Sequence, residues 1–259
     1  MTKPLTESVL RRLTSEALVT YLGQADQFEC TLRPGCCSVS TGEQVADLNY
    51  IVAGHGATES GAFGSACTTL ISKRLPFLAI LFPGAGPEAA QAAGDLGLVH
   101  VVDFPFMVRD DVPIEPAGND SVVVARAIGA AAAEANAQVL SSGFDMPEDA
   151  VRRVLPASLV DAPNVDVFLA SIEDDVVGTV TVIHQGDTAA IWSMATDRTR
   201  QRSGIGRRLL STALAEARTQ GARRFFLGAS PAGYRLYESM GFATRVVTKV
   251  WASGETHQA

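Results

Sequence analysis

The sequence contains few of the residues that bind transition metals or form disulfides. It has 4 histidines and 4 cysteines among 259 residues, and the cysteines, Cys30, Cys36, Cys37 and Cys67, all lie in the first quarter. They form no C-x-x-C pair and have no histidine at ligand spacing nearby. The sequence therefore predicts no metal site and reduced thiols, with the adjacent pair Cys36 and Cys37 buried in a strand rather than redox active.

Long hydrophobic runs are also absent. No uninterrupted apolar segment approaches the roughly 18 residues of a membrane helix, and the start, Met1 to Glu7, lacks the apolar core of a signal peptide. The formal net charge is -7, which disfavours nucleic acid as a partner because phosphate binding needs a basic surface. We expect a cytoplasmic protein with no membrane partner.

The composition that remains is that of a folded chain, since 47% of the residues are hydrophobic and 19% are charged. Its length suits two domains of ordinary size. The stretch from Asp110 to Asp120 contains two prolines, a glycine and four acids, which indicates a linker. We therefore place the domains at 1–115 and 119–259.

The second half predicts the element order β-β-β-α-β-α-β. Alternating and β-branched runs predict strands at 166–172, 176–183, 189–195, 225–229 and 245–251. Apolar residues at helical spacing predict helices over 209–217 and 234–240, preceded by helical segments around 126–141 and 147–155. His184 falls in a predicted turn, where we expect it to be exposed.

The first half has a similar order of elements. Strands are predicted at 48–52, 76–82 and 98–107, and helices at 66–73 and 87–96. This similarity has two interpretations: a faint internal duplication, or a β-α-β-α-β order that is common without shared ancestry.

A segment rich in glycine and arginine follows the predicted strand 189–195. Gly204 and Gly206 stand at the start of a helix, and 5 of the 21 basic residues of the chain fall between Arg198 and Arg208. Glycines allow a ligand to approach the backbone closely, and the first N–H groups of a helix have no internal partner. The segment therefore predicts an anion site suited to a polyphosphate. It lacks the lysine of a P-loop and the third glycine of a dinucleotide-binding turn.

Two motifs in this half resemble the GNAT acetyltransferase superfamily. The stretch 201–206, Gln-Arg-Ser-Gly-Ile-Gly, is similar to the family's Gln/Arg-x-x-Gly-x-Gly/Ala signature, and 236–242 is similar to its Leu-Tyr-Glu-x-x-Gly-Phe segment. The resemblance covers about 119–252. It departs from the family at Ser230, where asparagine is frequent, and at Gly233, where alanine is usual.

The resemblance implies an α+β (mixed αβ) fold with two GNAT-like domains, each a central mixed, mostly antiparallel sheet flanked by helices. The first domain is expected to be degenerate, because its glycine-rich stretch from Gly54 to Gly64 has no arginine or lysine. Acetyl-CoA is the implied co-substrate. The residues expected to bind it are Met194, Ala195, Thr196, Gln201, Arg202, Ser203, Gly204, Ile205, Gly206, Arg207, Ser230, Tyr234 and Tyr237.

The resemblance also assigns catalytic roles. The backbone N–H of Met194 is expected to polarise the thioester carbonyl, and Tyr237 to act as the acid for the departing thiolate, with Tyr234 as the second choice. The general base is left open among the four candidates Asp145, Asp149, Glu173 and Ser193.

The implied reaction is acetyl transfer to a primary amine of a small molecule by direct attack in a ternary complex. Three alternatives stay open: a longer acyl-CoA or an acyl carrier protein as donor, a non-catalytic acyl-CoA sensor, and a toxin that acetylates aminoacyl-tRNA, against which the acidic charge counts. A homodimer is left open as well.

Overall fold

We describe a computed structural model of the chain, which covers residues 5–59, 61–110, 113–114 and 117–253. Residues 111, 112, 115 and 116 of the expected linker lie outside this description. The helices are α1 Glu7–Leu22, α2 Ala62–Ser72, α3 Pro87–Asp95, α4 Gly129–Phe144, α5 Glu148–Val154, α6 Ala157–Val160, α7 Ile205–Thr219 and α8 Tyr234–Ser239. The strands are β1 Glu29–Arg33, β2 Cys36–Ser40, β3 Tyr50–Ala53, β4 Leu78–Leu81, β5 Val99–Arg109, β6 Val123–Arg126, β7 Val165–Ile172, β8 Asp175–Gln185, β9 Thr188–Thr196, β10 Arg224–Gly228 and β11 Ala243–Ala252. The expected mixed, mostly antiparallel architecture with flanking helices is confirmed.

The chain forms two compact units that do not follow the order of the sequence. The first unit contains the residues up to Met107, the short segment Gly228–Ser230 and the residues from Thr244 onward. Its strands have the order β1-β2-β3-β4-β11-β5. The expected domain boundaries assign β11 to the second half, whereas the structure pairs it antiparallel with β4, with Lys249 opposite Leu81.

The second unit contains Val108–Leu227 and Pro231–Ala243, with the strand order β10-β9-β8-β7-β6. Helices cover both faces of this sheet. Gly178 of β8 faces α7, since a Cβ atom there would lie 3.2 Å from Cγ2 of Ile205. Its neighbour Thr179 faces α4, because its hydroxyl donates to Oδ1 of Asn136 at 2.7 Å. Successive residues of a strand point to opposite faces, so α7 and α4 lie on opposite sides.

The two units repeat one pattern of pairing. In the first, β1, β2 and β3 are antiparallel neighbours, and α2 connects β3 to the parallel strand β4. In the second, β7, β8 and β9 are antiparallel neighbours, and α7 connects β9 to the parallel strand β10. The sequence predicted the strand–helix–strand parts of both patterns but missed α1, β1, β6 and α6, and of β2 it predicted only that Cys36 and Cys37 lie in a strand.

His184 was predicted incorrectly. It lies inside β8 rather than in a turn, its side chain is only 15% exposed, and Nε2 lies 2.8 Å from Oδ2 of Asp166. Asp166 is itself buried and forms an ion pair with Arg126 at 2.7 Å. The strand predicted from the sequence ended at Ile183, one residue before His184. Asp166, which contacts the His184 ring, lies 18 positions earlier in the chain and was not foreseen as its partner.

All four cysteines are free thiols, as predicted, and Cys36 and Cys37 are buried in β2. Burial raises the pKa of Cys36 to about 11 and that of Cys37 to about 12. Both thiols are therefore protonated at neutral pH, which is consistent with a structural role. Cys30 is exposed on β1.

Candidate active site

Strands β9 and β10 separate along their length. They pair in parallel register only at Thr188, Ala189 and Ala190, opposite Arg224, Phe225 and Phe226. Beyond Ala190, β9 continues to Thr196, and in the described part of the chain it no longer pairs with β10. The backbone of 193–196 therefore offers hydrogen-bonding groups to a ligand that enters between the two strands.

The corresponding strands of the first unit stay together. Pairs join β3 and β4 from Tyr50 opposite Leu78 to Ala53 opposite Leu81. One more hydrogen bond, from the N–H of Phe82 to the carbonyl of Ala53 at 2.9 Å, extends the pairing past the end of both strands. No edge comparable to that of β9 is open there.

A β-bulge interrupts β9 in the middle of its open edge. Thr181 is opposite Trp192 and Thr179 is opposite Ala195, so the single residue between the two threonines faces Ser193 and Met194. Ser193 has φ 45°, which is in the left-handed region. A bulge leaves the extra residue outside the ladder, and such features often lie next to active sites. No glycine marks this bulge, so it was not predicted from the sequence.

The first turn of α7 begins at the glycine-rich stretch in which the sequence predicts an anion site. Gly204 caps the helix with φ 83°, and Arg202 before it also has a positive φ of 61°. Among the residues that the structure describes, none accepts a hydrogen bond from the backbone N–H groups of Ile205, Gly206 and Arg207. Three such groups at a helix N-terminus, where the helix dipole is positive, favour a bound anion.

Gly206 brings three elements of this site close together. A Cβ atom at this position would lie 3.2 Å from Cε of Met194, 3.3 Å from Cδ2 of Leu236 and 3.9 Å from Oγ1 of Thr196. The missing side chain therefore allows α7 to approach β9 and α8. Two hydrogen bonds within the loop order the residues before α7. Nε2 of Gln201 donates to the carbonyl of Thr196 at 3.5 Å, and Oγ of Ser203 donates to the carbonyl of Arg200 at 2.5 Å.

The five arginines of the loop fall into two groups. Arg198 and Arg200 face carboxylates, Asp145 at 3.6 Å and Asp175 at 3.9 Å. Arg202 and Arg208 have no acidic partner among the described residues, and Nη2 of Arg207 donates to Oγ of Ser239 at 2.6 Å. The charge available to a phosphate is therefore concentrated on Arg202, Arg207 and Arg208.

Tyr237 extends from α8 toward the bulge of β9. Its hydroxyl lies 3.8 Å from Sδ of Met194, and its ring contacts that of Phe242 edge to face at 6.1 Å between centroids. The side chain is buried, and this desolvation raises the pKa of the phenol to about 12. The hydroxyl is therefore protonated at neutral pH and can act as a hydrogen-bond donor.

Gly233, one of the two departures from the family pattern, has a structural reason. A Cβ atom there would lie 2.7 Å from Cε2 and 3.2 Å from the hydroxyl of Tyr237. The ring of Tyr237 thus occupies the space that the side chain of an alanine would fill.

The other predicted residues have a less direct placement. Tyr234 begins α8 and is half-buried, while Ser230 is exposed in the segment Gly228–Ser230, which belongs to the first unit. Their contacts with a cofactor stay predictions. Of the candidate bases, Asp149 is paired with Arg152 at 3.0 Å, and Asp145 is exposed beside Arg198. Glu173 lies in the β7–β8 turn, and Ser193 alone lies on the open edge of β9.

The helix start of the first unit is closed by its own chain. Gly61 caps α2 with φ 67°, much as Gly204 caps α7. Here, however, the N–H of Phe63 donates to the carbonyl of Ala57 at 3.0 Å. The side chain of Arg11 lies directly over Gly54, where a Cβ atom would collide with it. The N–H of Phe63 is therefore already bonded and is not available to a phosphate.

Two further findings concern the described residues as a whole. Within them, no three histidine, cysteine, aspartate or glutamate side chains are grouped as a metal site would need. Across the same ranges, the helices are too short or too polar to cross a bilayer.

The sequence profile of the "Acetyltransferase (GNAT) family" matches residues 136–242, which include β7 to β10, α7 and α8. No curated protein matches the chain.

Solved structures resemble the whole chain. A GCN5-related N-acetyltransferase from Kribbella flavida has a TM-score of 0.70 and 16% identity, over 95% of this chain and 96% of that one. A second, from Sphaerobacter thermophilus, has a TM-score of 0.63 and 16% identity, over 85% and 76%. A tandem GNAT protein from the clavulanic acid biosynthesis pathway has a TM-score of 0.56 and 11% identity, over 98% of both chains. At these identities the likeness shows the fold alone.

Proposed function

We propose, from the match of residues 136–242 to the GNAT family of acetyltransferases, that the second unit transfers an acetyl group from acetyl-CoA to a primary amine of a small molecule. The observation that carries the proposal is the open edge of β9, where the hydroxyl of Tyr237 stands 3.8 Å from Sδ of Met194. Binding, polarisation of the carbonyl and stabilisation of the leaving group can each be assigned to residues at this opening.

The start of α7 fits the diphosphate of coenzyme A. The N–H groups of Ile205, Gly206 and Arg207 are available to its oxygens, and charge-assisted hydrogen bonds from Arg202, Arg207 and Arg208 supply further binding. The absence of a side chain at Gly206 leaves the backbone accessible.

The strand edge fits the pantetheine arm. The backbone groups of Met194, Ala195 and Thr196 have no strand partner toward β10 and can bond to the amides of the arm. Acetyl-CoA supplies the acetyl group as a thioester. At the bulge, the N–H of Met194 is assigned to the thioester carbonyl, where it stabilises the negative charge that develops on oxygen as the amine attacks.

Tyr237 stabilises the sulfur that leaves. Because its pKa is about 12, the hydroxyl stays neutral at the pH of the reaction and donates a hydrogen bond to the developing thiolate. Complete transfer of the proton to a thiolate, whose conjugate acid has a pKa of about 8.5, is uphill. The expected contribution is therefore that of a positioned donor rather than of a strong acid.

Direct attack by the amine suits the residues present. The sequence contains no cysteine after Cys67, so the second unit has no thiol that could form an acyl-enzyme. The net charge of -7 favours a cationic acceptor by general attraction.

We assign the first unit to a second, degenerate GNAT-like domain. The repeated pairing around α2 supports this assignment, and the tandem GNAT protein with a similar fold is consistent with it. The closed pair β3 and β4 and the bond from Phe63 to Ala57 support the loss of coenzyme A binding in this unit.

The test is a screen of coenzyme A release with acetyl-CoA and separate panels of amines, polyamines, amino acids and aminoglycosides. We expect release that depends on one class of amine, with a matching N-acetyl product by mass spectrometry. Release with longer acyl-CoA or acyl carrier protein alone would change the assigned donor. Binding of acetyl-CoA without turnover on every panel would contradict the enzyme and favour a sensor.

A further inference from the structure

A buried arginine from the end of β5 holds the C-terminal end of α8. Arg109 belongs to the second unit, which begins at Val108, and only 8% of its surface is exposed. Its Nη1 donates to the carbonyl of Met240, and Nη2 donates to the carbonyl of Pro113 at 3.3 Å. A cation at the C-terminal end of a helix is favoured by the helix dipole and by the carbonyls that lack partners there.

The turn that Arg109 contacts is a Schellman motif. The N–H of Phe242 donates to the carbonyl of Tyr237 at 3.1 Å, and the N–H of Gly241 donates to the carbonyl of Glu238 at 3.0 Å. Gly241 has φ 84°, which a residue with a side chain adopts at a cost. A Cβ atom at Gly241 would also collide with Nη1 of Arg109. A side chain at this position would therefore strain the turn and displace the end of Arg109.

The same turn fixes Tyr237 on both sides. Its carbonyl accepts the bond from Phe242, and its ring packs against the ring of Phe242. Helix α8 has only 6 residues and no side-chain cap at its N-terminus, so its C-terminal turn contributes a large share of its order. A displacement of this turn would move the phenol relative to Met194.

We propose that Arg109 is a positioning residue that acts on the reaction through Tyr237, an inference that rests on the proposed function of the second unit. Arg109 fixes the carbonyl of Met240, the turn fixes Phe242, and Phe242 fixes the ring whose hydroxyl lies 3.8 Å from Sδ of Met194.

The experiment is a double-mutant cycle on the full chain. Arg109→Lys and Arg109→Met are each made alone and together with Tyr237→Phe, and Arg12→Met serves as the control because Arg12 is exposed on α1 beside Glu16. Arg109→Lys keeps the charge and one donor but loses the planar guanidinium whose two nitrogens bond to Met240 and Pro113. It therefore remains informative if Arg109→Met does not fold. We measure kcat, KM for acetyl-CoA, and hydrogen exchange of the Phe242 amide.

We expect Arg109→Lys to lower kcat about tenfold and leave KM for acetyl-CoA within about twofold, and we expect less than about a twofold effect when Tyr237 is already Phe. Exchange of the Phe242 amide should accelerate about tenfold in Arg109→Lys and stay unchanged in Arg12→Met.

An equal loss of kcat in both backgrounds would overturn the proposal, and so would unchanged exchange at Phe242. If the wild-type chain transfers no acetyl group to any amine, the proposed function fails by itself. The exchange measurement then still decides whether Arg109 holds the turn.

Discussion

The hydroxyl of Tyr237 and the sulfur of Met194 lie 3.8 Å apart, across the gap between α8 and the bulge of β9. This contact connects α8, which carries the second motif, to the open edge of β9. It places a neutral donor beside the backbone that is assigned to the thioester. The catalytic proposal depends on this pair more than on any other contact.

Replacement of Tyr237 by Phe should lower kcat about 10- to 100-fold and change KM for acetyl-CoA by less than about threefold, because only the donor to the leaving sulfur is lost. The measurement is steady-state coenzyme A release. Tyr234→Phe is the matched control, with the same change made one turn earlier on α8. A larger loss in Tyr234→Phe would transfer the role to Tyr234, the second choice from the sequence.

Tyr237 should also affect stability in alkali. Its pKa in the folded chain is about 12, against an ordinary value of 10, so its contribution is complete below about pH 10 and is lost as the pH rises toward about 12. Two pKa units correspond to about 2 to 3 kcal/mol.

The test is chemical denaturation between pH 9 and pH 12. Burial also raises the pKa of Tyr50, Cys36 and Cys37 in the first unit, so the wild type carries further contributions in alkali. The difference between wild type and Tyr237→Phe isolates Tyr237. We expect the variant to lose less stability than the wild type over this range, and parallel curves would show that the phenol is not buried in solution.

The arginines of the α7 loop should contribute unequally to coenzyme A binding. Arg207→Gln should raise the Kd of coenzyme A about fivefold or more, whereas Arg198→Gln, whose native side chain faces Asp145, should change it by less than about twofold. Calorimetric titration at two salt concentrations provides the values. Equal effects of both substitutions would mean that the anion is held by the general charge of the loop rather than by the start of α7.

Coenzyme A should bind once per chain. In the first unit, β3 and β4 stay paired, and the N–H of Phe63 at the start of α2 is bonded to the carbonyl of Ala57. A titration should therefore give a stoichiometry near one. Gly206→Val should abolish this binding, because a Cβ atom alone already approaches Met194 and Leu236 to 3.2 and 3.3 Å. A second site that persists in Gly206→Val would contradict the degenerate assignment of the first unit.

The local structure around the start of α7 agrees with what the sequence predicted. Helix α7 follows from apolar spacing and from Gly204, and the structure confirms its start and the close approach at Gly206. The cluster of arginines in the loop was also visible in the sequence, but the ion pairs that neutralise two of them were not. Asp145 and Asp175, which face Arg198 and Arg200, lie in other elements.

What the sequence did not reveal depends on contacts between distant residues. The alternation of β11 indicates a strand but not its neighbour, so its pairing with β4 was not foreseen. Ser193 adopts a positive φ at the bulge although no glycine marks the place. Arg109 lies 131 positions before Met240, and only the folded chain brings the two together.

The most direct test of the site is hydrogen exchange with and without coenzyme A. We expect added coenzyme A to slow exchange at the amides of Ile205, Gly206 and Arg207 and along 193–196, and to leave 54–64 unchanged. Protection at 54–64 in place of the α7 start, or no protection in either segment, would contradict the assignment of the acetyl-CoA site to the open edge of β9.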